Sequence, residues 1–123
     1  MPYSFDKELV LGILNNIAWS VGVILKRSNQ IKSYDDFLKN DDGLEKLDSI
    51  CMQFINIGEA LKEIDKITSN TLLKNYDQID WTAAKGMRDV ITHHYFDIDA
   101  EVVFKTIEDK LPDLQKTISK IIS

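Results

Sequence analysis

Apolar residues recur at three- and four-residue steps along almost the whole chain, and no stretch alternates with period two over a strand's length. Leu9, Val10, Ile13, Leu14, Ile17, Val21, Ile24 and Leu25 share one face of a first long helix. Asp6 is placed to cap it, and Phe5 with Val10 to form a hydrophobic staple. Ser33 and Asp36 have the spacing of a capping box for a short helix from Tyr34 to about Asn40, which an Asp41-Asp42-Gly43 turn is expected to end. Leu44, Leu47, Cys51, Phe54, Gly58 and Leu61, flanked by Ile50, Ile57 and Ile64, give a second long helix whose apolar face is wide enough to be largely enclosed. A glycine inside that stripe, Gly58, predicts a close approach of another helix. Thr68 or Ser69 is placed to cap a short helix over Leu72 to Tyr76, and Asp80 to cap one starting at Trp81 that turns Ala84, Met87, Val90 and Ile91 inward. Asp99 caps a last segment with Val103, Ile107, Leu111, Leu114, Ile118 and Ile121 on one face. Pro112 should kink or break this segment, because it lacks the amide that would bond to Glu108. The pattern predicts one all-α domain over residues 1–123, an up-and-down bundle of three long helices plus one or two short ones.

Length and composition agree with that picture and narrow the function. A chain of 123 residues can bury a substantial core but has no room for separate cofactor and substrate domains. At 44% hydrophobic and 28% charged, with five Gly and two Pro, it is neither disordered nor of low complexity. Twenty acids against fifteen bases give a net charge of −5, which excludes a general nucleic-acid coat protein and confines any RNA contact to a local site. One cysteine, Cys51, allows no intrachain disulfide and no cysteine-based zinc site, and is read as a small buried hydrophobe. The longest nearly apolar run, Ile17 to Leu25, is nine residues, against the roughly 20 of a membrane span, and Asp6 and Glu8 spoil a signal-peptide start. A cytoplasmic protein without metal or cofactor is the expectation. Trp19, Trp81 and Phe54 fall on apolar helical faces and are expected in the core. Lys26 and Arg27 complement the dipole at the end of the first helix.

Candidate chemistry concentrates in one segment, Gly86-Met87-Arg88-Asp89-Val90-Ile91-Thr92-His93-His94-Tyr95-Phe96. The chain holds only two arginines, Arg27 and Arg88, and both histidines follow the second at five and six residues. A purely structural account exists, in which Arg88 makes an ion pair and the histidines favour a helix end. Arginine is also the side chain best shaped to grip a phosphate, and histidine the one suited to proton transfer near neutrality. Together they suit a metal-free phosphodiester cleavage, in which an RNA 2′-hydroxyl attacks phosphorus, His moves a proton and Arg stabilises the charge on the phosphoryl oxygens. Asp89, one turn before His93, is placed to orient the imidazole. On an ideal helix Arg88 and His93 lie about 140° apart, whereas Arg88 and Tyr95 lie within about 20°. A two-fold dimer would bring two copies of the segment together and supply one His as acid and one as base.

This segment resembles the HepT-like branch of the HEPN domains, all-α proteins of prokaryotic toxin-antitoxin modules. The family signature R-x-x-x-x-H-x-Y is matched by Arg88, His93 and Tyr95. Trp81, Gly86-Met87, Tyr95-Phe96-Asp97-Ile98-Asp99 and Leu111-Pro112-x-Leu114 agree as well, as does Ile57-Gly58-Glu59-Ala60 on the earlier long helix. The resemblance is closest from Asp80 to Leu114, looser from Leu44 to Leu61, and a matter of pattern before that. It implies a homodimer that cuts RNA without metal at a cleft where the Arg and His motifs meet. It also implies a minimal nucleotidyltransferase antitoxin as partner, which transfers AMP onto the motif Tyr, here Tyr95. Related domains also serve as non-catalytic binding modules that dock a nucleotidyltransferase. Two positions depart from the family: Asp89 stands where Asn is frequent, adding negative charge beside a phosphate site, and His94 fills the variable position before Tyr95. The family spacing selects His93 over His94.

Overall fold

The computed structural model describes residues 5–93 and 99–123, with side chains throughout except at 92 and 93. Among these residues six α-helices follow in order: α1 (Lys7–Arg27), α2 (Asp35–Leu38), α3 (Asp41–Thr68), α4 (Trp81–His93), α5 (Ala100–Asp109) and α6 (Leu111–Ile122). A single 3₁₀ turn, Leu73–Asn75, lies between α3 and α4. No strand occurs among the described residues. The fold is all-α, as the periodicity predicts, but the expected third long helix is two helices. The break falls at Lys110, with Pro112 in the first turn of α6, where its missing amide leaves no helical bond unmade.

The helices start where short polar side chains can satisfy the first amides. The Asp6 carboxylate accepts from Leu9 N–H at 3.0 Å, Asp80 from Ala83 at 3.0 Å, and Asp99 from Glu101 and Val102 at 3.0 and 3.2 Å. Asn40, rather than a turn at Asp41-Asp42-Gly43, begins α3: its side chain accepts from Gly43 N–H at 2.8 Å, and Asp41 and Asp42 sit in the first turn, where the helix dipole favours them. Gly43 is buried because the carbonyls of Asp36 and Phe37 close over it. The capping box at Ser33 is replaced by a related device. The Asp36 carboxylate reaches back to the Lys32 N–H at 2.8 Å and pairs with Lys39 at 3.0 Å, and these contacts, the Lys32 amide first, hold it below the usual carboxylate range. Thr68 and Ser69 cap nothing downstream; they end α3. Ser69 and Asn70 take left-handed φ values of 49° and 62°, and Asn70 N–H closes on the Asp65 carbonyl at 2.8 Å.

Helix α3 is the axis of the bundle, packed by α1 on one side and α4 on another, with α2 over its first turn. Arg27 at the end of α1 donates to Ser49 Oγ, while Asn16, Ile17 and Ser20 lie beside Asn56 and Ala60, so α1 and α3 run antiparallel. Helix α6 packs on α1, and α5 on α6 and α2. The core is filled by Ile17, Val21 and Ile24 of α1, Ile50, Phe54, Ile57, Leu61 and Ile64 of α3, and Val103, Leu111 and Ile118 from the last two helices. Phe37 is fully buried and anchors the short α2. By length and composition alone α1 could cross a membrane, although its longest nearly apolar run is nine residues; its stripe of Val10, Leu14, Ile17, Val21 and Ile24 is buried against the bundle.

Several apolar side chains face outward against expectation. Leu9, Leu44 and Val90 are 50%, 41% and 48% exposed, and Trp19 is 62% exposed. Leu9, Leu44 and Val90 lie at the edges of their apolar stripes, where the placement of the neighbouring helix decides between core and surface, whereas Trp19 lies on the face of α1 opposite its buried stripe, at 100° per residue. Trp81 and Phe54 are core as predicted, and the Trp81 indole N–H donates to the Tyr76 carbonyl at 2.8 Å. Cys51 is buried, and burial together with the nearby Asp48 charge pushes its thiol up to about 11.

Candidate active site

Helix α4 carries the described part of the segment singled out by the sequence, Gly86 to His93, and it packs against α3. Gly58 is the point of closest approach: a Cβ built there would stand 3.1 Å from the Lys85 carbonyl oxygen, 3.4 Å from Arg88 Cβ and 3.6 Å from the Ala84 carbonyl oxygen. A Cβ there would be tighter than ordinary contact and would push the α4 backbone back by a few tenths of an ångström. The close approach predicted from Gly58 is therefore made by the arginine's own turn of helix.

Among the described residues two ion pairs cross this seam. Lys85 Nζ meets Asp65 at 2.5 Å, both side chains largely buried. Arg88 Nε donates to Glu59 Oε1 at 2.6 Å, a charge-assisted contact between residues 29 positions apart in the chain. On its other side Arg88 Nη1 donates to Asp89 Oδ1 at 3.2 Å. Arg88 is 43% exposed and Glu59 and Asp89 about half exposed, so a pair whose ends are hydrogen-bonded in solvent's reach can be exchanged for an anionic ligand without opening the core.

Asp89 thus touches the guanidinium. It was expected to orient His93; the side chain of His93 is not described, although its backbone is the last residue of α4. His94 and Tyr95 lie outside the described residues. Sequence reasoning placed Glu59 in a matching stretch but gave it no role; its signal was the glycine before it, which marks where another helix must touch. Among the described residues no group of three or more His, Cys, Asp or Glu side chains could hold a metal ion. A cavity of about 500 Å³ beside α4, lined by Tyr34, Met87, Val90, Ile91, Asp99 and Val103 among others, does not include Arg88.

What the arrangement can do chemically follows from the arginine. A guanidinium anchored through Nε to a rigid neighbouring helix presents a planar, permanently charged donor set at the surface, suited to a phosphodiester. Five residues on stands a histidine, the general acid or base such a reaction requires.

Comparison with known proteins points the same way. Residues 17–121 match the family model described as Ribonuclease HepT-like. The "Putative RNase MJ0127" of Methanocaldococcus jannaschii is 29% identical over 94% of this chain and 89% of its own length. The "Putative RNase MJ0125" of the same organism is 32% identical over 72% of this chain and 71% of its own. The "Probable ribonuclease HepT" of Thermococcus cleftensis is 28% identical over 88% and 91%. No solved structure matches significantly.

Proposed function

We propose, from the premise that the chain belongs to the HepT-like ribonuclease family, that it is a metal-independent endoribonuclease acting through Arg88 and His93. The observation that carries this reading is Arg88 itself: one of two arginines in an acidic chain, held at the α3–α4 seam yet exposed, five residues before a histidine within the region the family model matches. In the reaction the 2′-hydroxyl of one nucleotide gives its proton to a histidine and attacks the adjacent phosphorus. A 2′-oxygen to phosphorus bond forms, the bond to the 5′-oxygen breaks, and a second histidine protonates the departing oxygen, leaving a 2′,3′-cyclic phosphate. Arg88 stabilises the charge that gathers on the non-bridging oxygens. Since each chain has one motif histidine, a homodimer that pairs two motifs supplies both acid and base.

The same reading makes the protein the toxin of a cytoplasmic toxin-antitoxin module, silenced by a minimal nucleotidyltransferase that attaches AMP to Tyr95. Phosphate and adenosine near Arg88 would occupy its guanidinium and block RNA. The test is incubation of purified protein with total RNA in the presence of chelator. Cleavage is expected, lost in Arg88→Ala and His93→Ala and less affected in His94→Ala; a need for added metal refutes the mechanism, and a strictly monomeric species at micromolar concentration refutes the shared site. Co-expression with the neighbouring reading frame and intact-mass measurement of wild type and Tyr95→Phe then tests the switch.

One observation favours a second reading, a non-catalytic module that docks a nucleotidyltransferase: Arg88 is already engaged by two carboxylates, Glu59 and Asp89. On that reading the same variants change complex formation and no RNA is ever cut.

A further inference from the structure

Among the described residues Arg88 meets two carboxylates that differ in kind. Asp89 is its neighbour on α4 and moves with it, so this contact cannot register the guanidinium against anything else. Glu59 belongs to α3, the axis of the bundle, and is followed and preceded by buried or half-buried residues, Ala60 and Gly58. Its Oε1 holds Nε of Arg88 at 2.6 Å across the seam. The contact exists because Gly58 admits α4 so closely that Arg88 Cβ lies over the α3 backbone, one residue from the glutamate.

An arginine side chain has four rotatable bonds, and an exposed one samples many rotamers. Fixing Nε, the first nitrogen of the fork, sets the plane of the guanidinium and directs its terminal nitrogens. A donor set that must meet a phosphorane within a few tenths of an ångström depends on such anchoring. We infer that Glu59 is the positioning residue of Arg88, a carboxylate on α3 that orients the guanidinium for the phosphodiester without touching it. The inference rests on the ribonuclease reading for its consequence in catalysis, but not for the contact itself.

Glutamate at this place has an opposite possible effect, since a negative charge beside a phosphate site repels RNA. The two effects separate by substitution. Glu59→Ala removes both the acceptor and the charge; Glu59→Gln removes the charge but leaves an amide oxygen that still accepts from Nε–H. Glu59 is half exposed, so neither change empties the core, and circular dichroism confirms the fold. With a short oligoribonucleotide as substrate, Glu59→Ala is expected to lower kcat by about tenfold to a hundredfold, with KM changed much less, and Glu59→Gln to recover most of the loss. Binding of an uncleaved oligoribonucleotide to the His93→Ala protein should differ little with and without Glu59→Ala.

Wild-type kcat in Glu59→Ala overturns the inference. So does faster turnover or tighter RNA binding, which would make the glutamate an electrostatic brake, and so does a Glu59→Gln protein as impaired as Glu59→Ala. A readout independent of activity keeps the two proposals apart. The chain has two arginines, so its nitrogen-proton spectrum contains two arginine Nε–H signals, apart from the indole signals of Trp19 and Trp81. The Arg88 signal should be slow to exchange in the wild type and in Glu59→Gln, and fast or broadened in Glu59→Ala. If no RNA is cut by any protein yet this signal behaves as stated, the ribonuclease reading fails and the positioning contact stands. An Arg88 signal indifferent to Glu59→Ala refutes the positioning contact whatever the activity.

Discussion

Replacing Gly43 by alanine tests how α2 and α3 are joined. The new methyl would stand 2.2 Å from the Asp36 carbonyl oxygen and 2.9 Å from that of Phe37, both main-chain atoms. Ordinary carbon to oxygen contact lies above about 3.2 Å, so α2 must retreat by about 1 Å. It cannot do so freely, because Phe37 is fully buried on the same element. Overpacking of this kind costs about 1–3 kcal/mol, and disturbing the Asn40 cap, which accepts from Gly43 N–H at 2.8 Å, costs about 1 kcal/mol more. Alanine's better helix propensity returns up to about 1 kcal/mol. The net loss is about 2 kcal/mol, a fall in melting temperature of about 6–10 °C for a chain of this size. Urea unfolding followed by far-ultraviolet circular dichroism measures it, with Gly12→Ala as an internal comparison. A Cβ at Gly12 meets nothing within 4 Å, so that substitution should stabilise by about 0.5–1 kcal/mol. A Gly43→Ala protein as stable as the wild type would show that the α2 carbonyls do not close over α3 as described.

Other outcomes follow from the same geometry. Gly58→Ala sets a methyl 3.1 Å from the Lys85 carbonyl oxygen and must shift α4 by a few tenths of an ångström; RNA cleavage should fall about threefold to tenfold while unfolding free energy changes by less than about 1 kcal/mol. Trp81→Ala should cost about 3–5 kcal/mol, since it empties a core site and leaves the Tyr76 carbonyl without its indole donor, whereas Trp19→Ala on the exposed face of α1 should stay within about 0.5 kcal/mol by the same urea assay. Cys51 ionises near 9 when unfolded and at about 11 when folded, so above pH 9 the unfolded chain loses a proton the native one keeps. Stability present below pH 9 is therefore lost as pH rises toward 11, by about 2–3 kcal/mol at most, and the difference in pH dependence between wild type and Cys51→Ala isolates it.

The amino-acid sequence by itself determined the all-α class, the start of α1, α4 and α5, the buried stripe of α3 and the break before α6. These are local matters: a 3.6-residue period, an aspartate ahead of an amide, a proline with no N–H. It also marked the segment from Arg88 to Tyr95, because arginine and histidine are rare in this chain and the spacing matches a family pattern. Only the tertiary structure decided which edge of a stripe faces water, so Leu9 and Val90 turned out exposed, and whether Asp41 and Gly43 close one helix or open the next. Only it joined Glu59 to Arg88 and Asp65 to Lys85. A charge pair between residues 20 or more positions apart depends on the separation and rotation of two helices, and these follow from the whole α3–α4 interface, in which Gly58 admits the α4 backbone.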